Sequence, residues 1–134
     1  MDKMKTTVKW KNGMKFVGVN EHNTEVLMDI DDITGVRPMQ MALMSIGGCT
    51  AVDVISTLEK MRQNVEGMEI EIEGLRRDEH PRYFEEIVIV YKFKGDLDGD
   101  KVERAIKLSK DKYCSVSNMF EPKAKISFRF EINK

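Results

Sequence analysis

The stretch PMQMALMSIGGCTAVDV, residues 38–54, decides the fold of this chain. It carries no charge before Asp53, and it opens with Pro38, which suits the first turn of a helix because no backbone N–H donor is needed there. After Asp53 the pattern becomes amphipathic, with apolar residues at helical spacing against charged ones. The sequence therefore predicts a helix over residues 38–62 that is buried on most sides up to Val52.

Gly47 and Gly48 lie inside this predicted helix, where each glycine costs about 1 kcal/mol relative to alanine. They do not follow a predicted strand, so they do not match a phosphate-binding loop. We expect this cost to be offset by another backbone segment that packs closely against the helix at the two glycines. We therefore interpret the two glycines as a packing feature of the helix.

Strand patterns surround the predicted helix on both sides. Alternating or β-branched runs predict strands over residues 6–10, 14–19, 24–29, 65–76, 87–93 and 125–132, with an Asn12-Gly13 hairpin turn between the first two. Helical spacing predicts a second helix up to about residue 112, capped by Asp98 or Asp100, and a short helical segment over residues 114–120. The sequence thus predicts a single α+β domain, residues 1–134, with a long buried helix set against antiparallel sheets.

Composition limits the class of protein. The chain has 134 residues, 41% of them hydrophobic and 34% charged, which is typical of a soluble globular domain. The net charge of −1 provides no electrostatic footprint for nucleic acid or for an anionic membrane. The longest uncharged run, residues 38–52, is shorter than the roughly 18 to 20 apolar residues of a membrane span. We expect a cytoplasmic protein with no nucleic-acid or membrane partner.

Cys49 and Cys114 are the only cysteines. In a reducing compartment they do not indicate a permanent disulfide, although a transient catalytic one remains open. Cys49 shares its helical stripe with small residues, which suits a thiol facing a cavity or a second thiol. Cys114 lies at a helix N-terminus if a helix begins near Tyr113, and that position favours a thiolate. The alternative for both is a small buried hydrophobic residue, the usual place of a free cysteine.

The sequence predicts neither a metal nor a cofactor. A zinc site needs about four ligands, and the chain has no Cys-x-x-Cys pair. His22 and His80 both lie in predicted turns, and nothing links either of them to a thiol as in a Cys–His hydrolase. We therefore expect no metal and no cofactor.

Two motifs resemble those of a known family. GGCTAVDV, residues 47–54, and KYCSVS, residues 112–117, are similar to the two cysteine motifs of the OsmC/Ohr family of thiol-dependent peroxide reductases. The predicted order of elements also resembles that family, and the resemblance covers essentially the whole chain. It implies an intertwined homodimer whose central helices are buried between two sheets, with two active sites at the subunit interface.

The resemblance also implies a chemistry. Cys49 matches the reactive cysteine, which attacks the O–O bond of an organic hydroperoxide and becomes a sulfenic acid. Cys114 matches the resolving cysteine, which condenses with it to a disulfide. A dithiol reductant then restores the pair by exchange. On this basis we expect a thiol-dependent peroxidase that needs no cofactor.

This chain departs from the family pattern near the thiols. Peroxidase members carry a glutamate after the proline that opens the helix, where this chain has Met39 followed by Gln40. They also use an N-terminal arginine, whereas residues 1–36 contain none, which leaves Arg37 and Lys15 as the candidate cations. Two alternatives therefore stay open: a non-peroxidase dimer that binds a small apolar or thiol-bearing molecule, and a redox sensor.

Overall fold

The computed structural model describes residues 2–134. The chain divides into two compact units, one ending at Ala42 and one spanning Leu43–Lys134. The first unit holds an antiparallel sheet of three strands in the order β1-β2-β3, namely β1 (Thr7–Asn12), β2 (Lys15–Val19) and β3 (Glu25–Asp29). Gly13 adopts a φ of +52° in the turn after β1, a conformation that glycine takes at little cost. The predicted N-terminal hairpins are thereby confirmed.

The helix α1 (Pro38–Lys60) begins at the proline that the sequence singled out. The side chain of Gln40 accepts a hydrogen bond from the backbone N–H of Arg37 at 2.8 Å, which satisfies a donor at the start of the helix. The chain leaves the helical conformation at Arg62, whose φ is +60°. The predicted helix therefore exists with nearly the predicted bounds.

Burial of α1 differs from the prediction. Within the second unit its buried side chains recur every four residues, at Ile46, Thr50, Val54 and Leu58, and so form one stripe. Met44 and Val52 are 56% and 67% exposed in the single chain. The prediction of a helix buried on most sides is therefore wrong for one chain alone, because one chain covers only one face of α1.

The glycines of α1 also correct an expectation. A Cβ atom at Gly47 would lie 2.6 Å from Cδ1 of Ile72, so the close neighbour is a side chain and not another backbone. A Cβ atom at Gly48 would meet nothing within 4 Å in the single chain. Gly47 thus makes room for one isoleucine, and Gly48 belongs to the exposed face of the helix.

The second unit contains a mixed sheet. Its strands are β4 (Gly67–Arg76), β5 (Phe84–Lys94) and β6 (Lys125–Asn133), and β5 lies in the centre. β4 pairs with β5 in the antiparallel sense, whereas β6 runs parallel to β5. The α+β class is confirmed, but the expectation of purely antiparallel sheets is wrong for this strand pair. The reason is the long helical connection between β5 and β6, because such a crossover joins parallel strands.

That connection consists of three helical pieces. α2 (Gly99–Leu108) starts at Asp98, whose side chain accepts a hydrogen bond from the N–H of Asp100 at 2.9 Å, as predicted. A π-helical turn (Ser109–Tyr113) follows, and α3 (Ser115–Phe120) completes the connection. π-helical turns are rare and occur frequently at functional sites. Here the turn lies between α2 and the second cysteine.

Candidate active site

The second unit brings the two cysteines together with one carboxylate. The sulfur atoms of Cys49 and Cys114 and a carboxylate oxygen of Asp53 all lie within 4.8 Å of one another. The cysteines are far apart in sequence, so the contact is made by the fold. The hypothesis that the two thiols form a pair depended on such proximity.

Cys49 and Asp53 belong to the same face of α1. They are four residues apart, which places both side chains on one stripe of the helix. Cys49 is half-buried. A sulfur with partial access to solvent is able to meet a small molecule, and a carboxylate stands one helical turn away from it.

Cys114 is held at the start of α3. Its backbone N–H donates to the carbonyl oxygen of Ser109 at 2.7 Å, and its sulfur accepts a hydrogen bond from the N–H of Ser117 at 3.4 Å. The side-chain amide of Asn118 donates to the carbonyl oxygen of Cys114 at 2.7 Å. Only 1% of Cys114 is exposed. The structure thus places this cysteine at a helix N-terminus, as the sequence predicted.

Burial is the main influence on the acidity of Cys114. It raises the pKa of this thiol, because the thiolate loses its hydration inside the protein. The two hydrogen bonds with Ser117 lower the pKa, whereas a hydrogen bond with Cys49 and negative charge on Cys49 raise it. Cys114 is therefore held as a neutral thiol that is able to donate a hydrogen bond to the other sulfur.

A chain of buried hydroxyl groups runs beside the thiols. The hydroxyl of Thr50 lies 2.7 Å from that of Tyr91 and 2.8 Å from that of Ser109, and Ser109 donates to Asp53 at 2.9 Å. Ser109 therefore contacts Asp53 through its side chain and Cys114 through its carbonyl oxygen. One fully buried serine orients two of the three groups of the site.

Tyr91 carries the last hydroxyl of this hydrogen-bonded series and is buried in the core. Burial raises the pKa of its phenol to about 12, against a smaller lowering by the hydrogen bond with Thr50. Negative charge on Cys114 and Asp53 also raises the pKa of Tyr91. Tyr91 therefore stays neutral at physiological pH, and its hydroxyl serves as a hydrogen-bond partner only.

The sequence did not identify Thr50, Tyr91 or Ser109. Thr50 follows Cys49 directly, yet its hydroxyl points along the buried stripe of α1, which a sequence motif cannot reveal. Tyr91 belongs to an apolar strand in which a tyrosine is unremarkable. Only Ser109 could have been noticed in the sequence, because it is a small polar residue directly after the amphipathic pattern of α2.

Both candidate cations have acidic partners in the first unit. Nε of Arg37 lies 3.7 Å from Asp32, and Nζ of Lys15 lies 3.6 Å from Asp29. Gln40, next to the position of the family glutamate, serves the helix start and approaches Asp32 at 3.4 Å. Among the ion pairs of residues 2–134, none includes Asp53.

Neither histidine belongs to the cluster of ligand-type groups. His22 lies in the turn between β2 and β3, and His80 lies between β4 and β5, directly before Pro81. The structure therefore gives no support to a Cys–His arrangement. The site that the fold assembles contains two thiols, one carboxylate and the hydroxyl chain behind them.

Comparison with known proteins identifies the relatives of this chain. The family model described as OsmC-like protein matches residues 30–129. Protein YhfA of Escherichia coli (strain K12) is 40% identical over 131 residues, which cover 96% of this chain and 98% of YhfA. The cysteine motifs resemble those of the subgroup typified by YhfA, and this similarity confirms that resemblance.

Solved structures share the fold. A hypothetical protein from Aquifex aeolicus VF5 superposes with a TM-score of 0.87 and 34% identity over 100% of both chains. The organic hydroperoxide resistance protein OhrB of Bacillus subtilis superposes with a TM-score of 0.71 over 97% of this chain and 98% of its own, at 14% identity, so the likeness concerns the fold alone.

The length and apolar composition of α1 alone would suffice for a membrane span. In the shared fold, however, it is the helix that carries the buried stripe of the second unit. We therefore describe α1 as the core helix of a soluble fold.

Proposed function

The chain belongs to the OsmC-like family, and from this premise we propose that it is a thiol-dependent peroxidase that reduces organic hydroperoxides through Cys49 and Cys114. The observation that carries the proposal is the proximity of the two sulfur atoms, which lie within 4.8 Å of each other. A disulfide is about 2 Å long, so the sulfurs need to approach by less than about 3 Å. Rotation of the side chains covers a distance of this order.

The different environments of the two thiols support different roles. Cys49 is half-buried and Cys114 is buried, so a hydroperoxide has better access to Cys49. The raised pKa of Cys114 keeps its proton available for a hydrogen bond to the sulfur of Cys49. We therefore assign Cys49 as the attacking cysteine and Cys114 as the resolving cysteine.

The proposed reaction has three steps. The Cys49 thiolate attacks one oxygen of ROOH, the O–O bond breaks, and the leaving alkoxide takes a proton to give ROH and Cys49 sulfenic acid. The sulfur of Cys114 then attacks the sulfenic sulfur, and water leaves as the disulfide forms. A dithiol reductant reduces this disulfide by exchange and is itself oxidised to a disulfide. In sum, hydroperoxide and dithiol give alcohol, water and oxidised dithiol.

The test is the consumption of cumene hydroperoxide by the full chain with dihydrolipoamide or dithiothreitol as reductant. We expect Cys49→Ser to lower the rate at least about 100-fold, because it removes the attacking group. Ser56→Ala changes an exposed serine on the same helix and serves as the matched control, with a rate equal to that of the parent. If Cys49→Ser consumes hydroperoxide as fast as the parent, the proposed mechanism is wrong.

A second candidate is a non-peroxidase protein that binds a small apolar or thiol-bearing molecule on the same fold. The observation in its favour is the carboxylate of Asp53 within 4.8 Å of both sulfurs, because a negative charge opposes a neighbouring thiolate. The candidate cations Arg37 and Lys15 each have an aspartate as ion-pair partner. In the assay above, this candidate predicts no turnover by the parent.

We also propose that the protein is a homodimer. The exposed face of α1 includes Met44, Gly48 and Val52, an apolar patch that a single chain leaves in contact with water. Gly48 on this face would let a partner helix approach closely.

The proposed chemistry of the thiol pair suits the cytoplasm, because thiols are kept reduced there. Fractionation of cells that express the tagged chain checks this location.

A further inference from the structure

The site contains the ligand types of a metal centre. The two sulfurs and the carboxylate oxygen lie within 4.8 Å of one another. In a tetrahedral zinc site, Zn–S distances of about 2.3 Å and Zn–O distances of about 2.1 Å separate neighbouring ligand atoms by about 3.5 to 3.8 Å. Contraction of the observed triangle by about 1 Å is therefore enough to place all three atoms around one ion.

The ligand-type groups are already oriented by a second layer of contacts. Ser109 donates to one oxygen of Asp53 at 2.9 Å and accepts from the N–H of Cys114 at 2.7 Å. Thr50 in turn fixes the hydroxyl of Ser109 at 2.8 Å. Hydrogen bonds of this kind orient metal ligands in known centres. The second oxygen of Asp53 remains for coordination.

The charge of a divalent ion also suits these three ligands. Binding of a metal ion would displace the thiol protons, and the two thiolates and the carboxylate would then share the charge of the ion. Of the ion pairs that the described part of the chain forms, none brings a lysine or arginine to Asp53. A divalent ion would therefore be the positive partner of the three ligands, and thiolate ligands select soft or borderline metals such as zinc.

We infer that Cys49, Asp53 and Cys114 form a three-ligand site for Zn²⁺, with water at the fourth position. This revises the interpretation of the sequence, which predicted no metal because a zinc site needs about four ligands, both histidines lie in predicted turns and the chain has no Cys-x-x-Cys pair. Three protein ligands with one open position are typical of exchangeable or catalytic zinc, whereas structural zinc is closed by four. The inference depends on the ligand geometry and not on peroxidase activity.

Zinc and the disulfide exclude each other, because both use the same sulfurs. Binding of Zn²⁺ to the reduced protein releases the thiol protons to solvent. When a hydroperoxide oxidises the loaded site, the two thiolates lose two electrons and form the disulfide, ROOH takes up these electrons and two protons to give ROH and water, and Zn²⁺ is released. The site would thus hold the metal only in the reduced state.

The experiment uses the untagged full chain, reduced and freed of metal, titrated with Co²⁺ and then with Zn²⁺. We expect one Co²⁺ per chain, with thiolate-to-cobalt charge transfer and the intense visible bands of tetrahedral coordination, and displacement by Zn²⁺. Cys49→Ser and Cys114→Ser should each abolish the charge-transfer band or weaken binding at least about 100-fold. Asp53→Asn should weaken binding at least about 10-fold, and Ser109→Ala about 10-fold.

Asp111→Asn is the matched control, since it neutralises an exposed carboxylate on the same π-helical turn as Ser109. It should bind metal as the parent does, and circular dichroism verifies that each variant is folded. Absence of a thiolate-to-cobalt band in the parent, or binding that Asp53→Asn and both cysteine variants leave unchanged, would overturn the inference. Zinc binding without hydroperoxide consumption would refute the proposed peroxidase and leave the metal site standing.

Discussion

At the scale of single residues, burial distinguishes the two thiols. Cys114 is only 1% exposed and donates or accepts hydrogen bonds within its own helical connection, whereas Cys49 is half-buried. The sequence identified both cysteines, because their motifs are recognisable. It could not reveal the role of Ser109, because that role depends on two contacts made by different atoms of one residue. The candidate site was therefore predictable in its sulfurs and not in its supporting hydroxyls.

This difference in burial predicts the order of alkylation. In the folded, reduced protein we expect iodoacetamide to modify Cys49 at least about 10-fold faster than Cys114. The raised pKa of Cys114 means that its thiolate forms at a higher pH than that of an ordinary thiol, so its modification should also rise later with pH. Peptide mass spectrometry of timed samples measures both rates.

Unfolding in urea provides the control for this prediction. The unfolded chain has neither the burial nor the contacts with Cys49 that raise the pKa of Cys114, so the two rates should become similar. Equal alkylation rates in the folded protein at pH 8 would contradict the described burial of Cys114.

At the scale of elements, hydrophobic periodicity and the turn and cap residues predicted most of the strands and helices. The Asn12-Gly13 turn, the alternation of β4 and the proline that opens α1 depend on local sequence, and all three are found. The direction of β6 depends on how the chain crosses from β5, which local alternation does not encode. The π-helical turn also escaped prediction, because its extra residue interrupts helical spacing without a glycine or proline to mark it.

At the scale of the whole molecule, the apolar face of α1 is the main feature that one chain leaves unexplained. A helix with so few charges would normally be covered, yet Val52 is 67% exposed in the single chain. The sequence predicted burial of this helix on most sides up to Val52. The proposed homodimer would reconcile that prediction with the structure, since a second chain would cover the face that the first leaves open.

The dimer is tested by a charge placed on this face. We expect the parent to have the mass of two chains in size-exclusion chromatography with light scattering, and Val52→Lys to weaken association at least about 10-fold, because a buried unpaired ammonium is costly. Val52→Thr keeps the shape without a charge and serves as the control. A parent that elutes with the mass of one chain at micromolar concentration would contradict the dimer.

The central claim is that Cys49 and Cys114 act as a redox couple, and the most direct measurement is the state of both sulfurs after oxidation. The reduced protein is treated with one equivalent of cumene hydroperoxide and analysed by non-reducing peptide mass spectrometry. The account predicts an intramolecular Cys49–Cys114 disulfide in the parent and a trappable sulfenic acid on Cys49 in the Cys114→Ser variant. Two free thiols after treatment, or a disulfide between chains instead of within one, would contradict it.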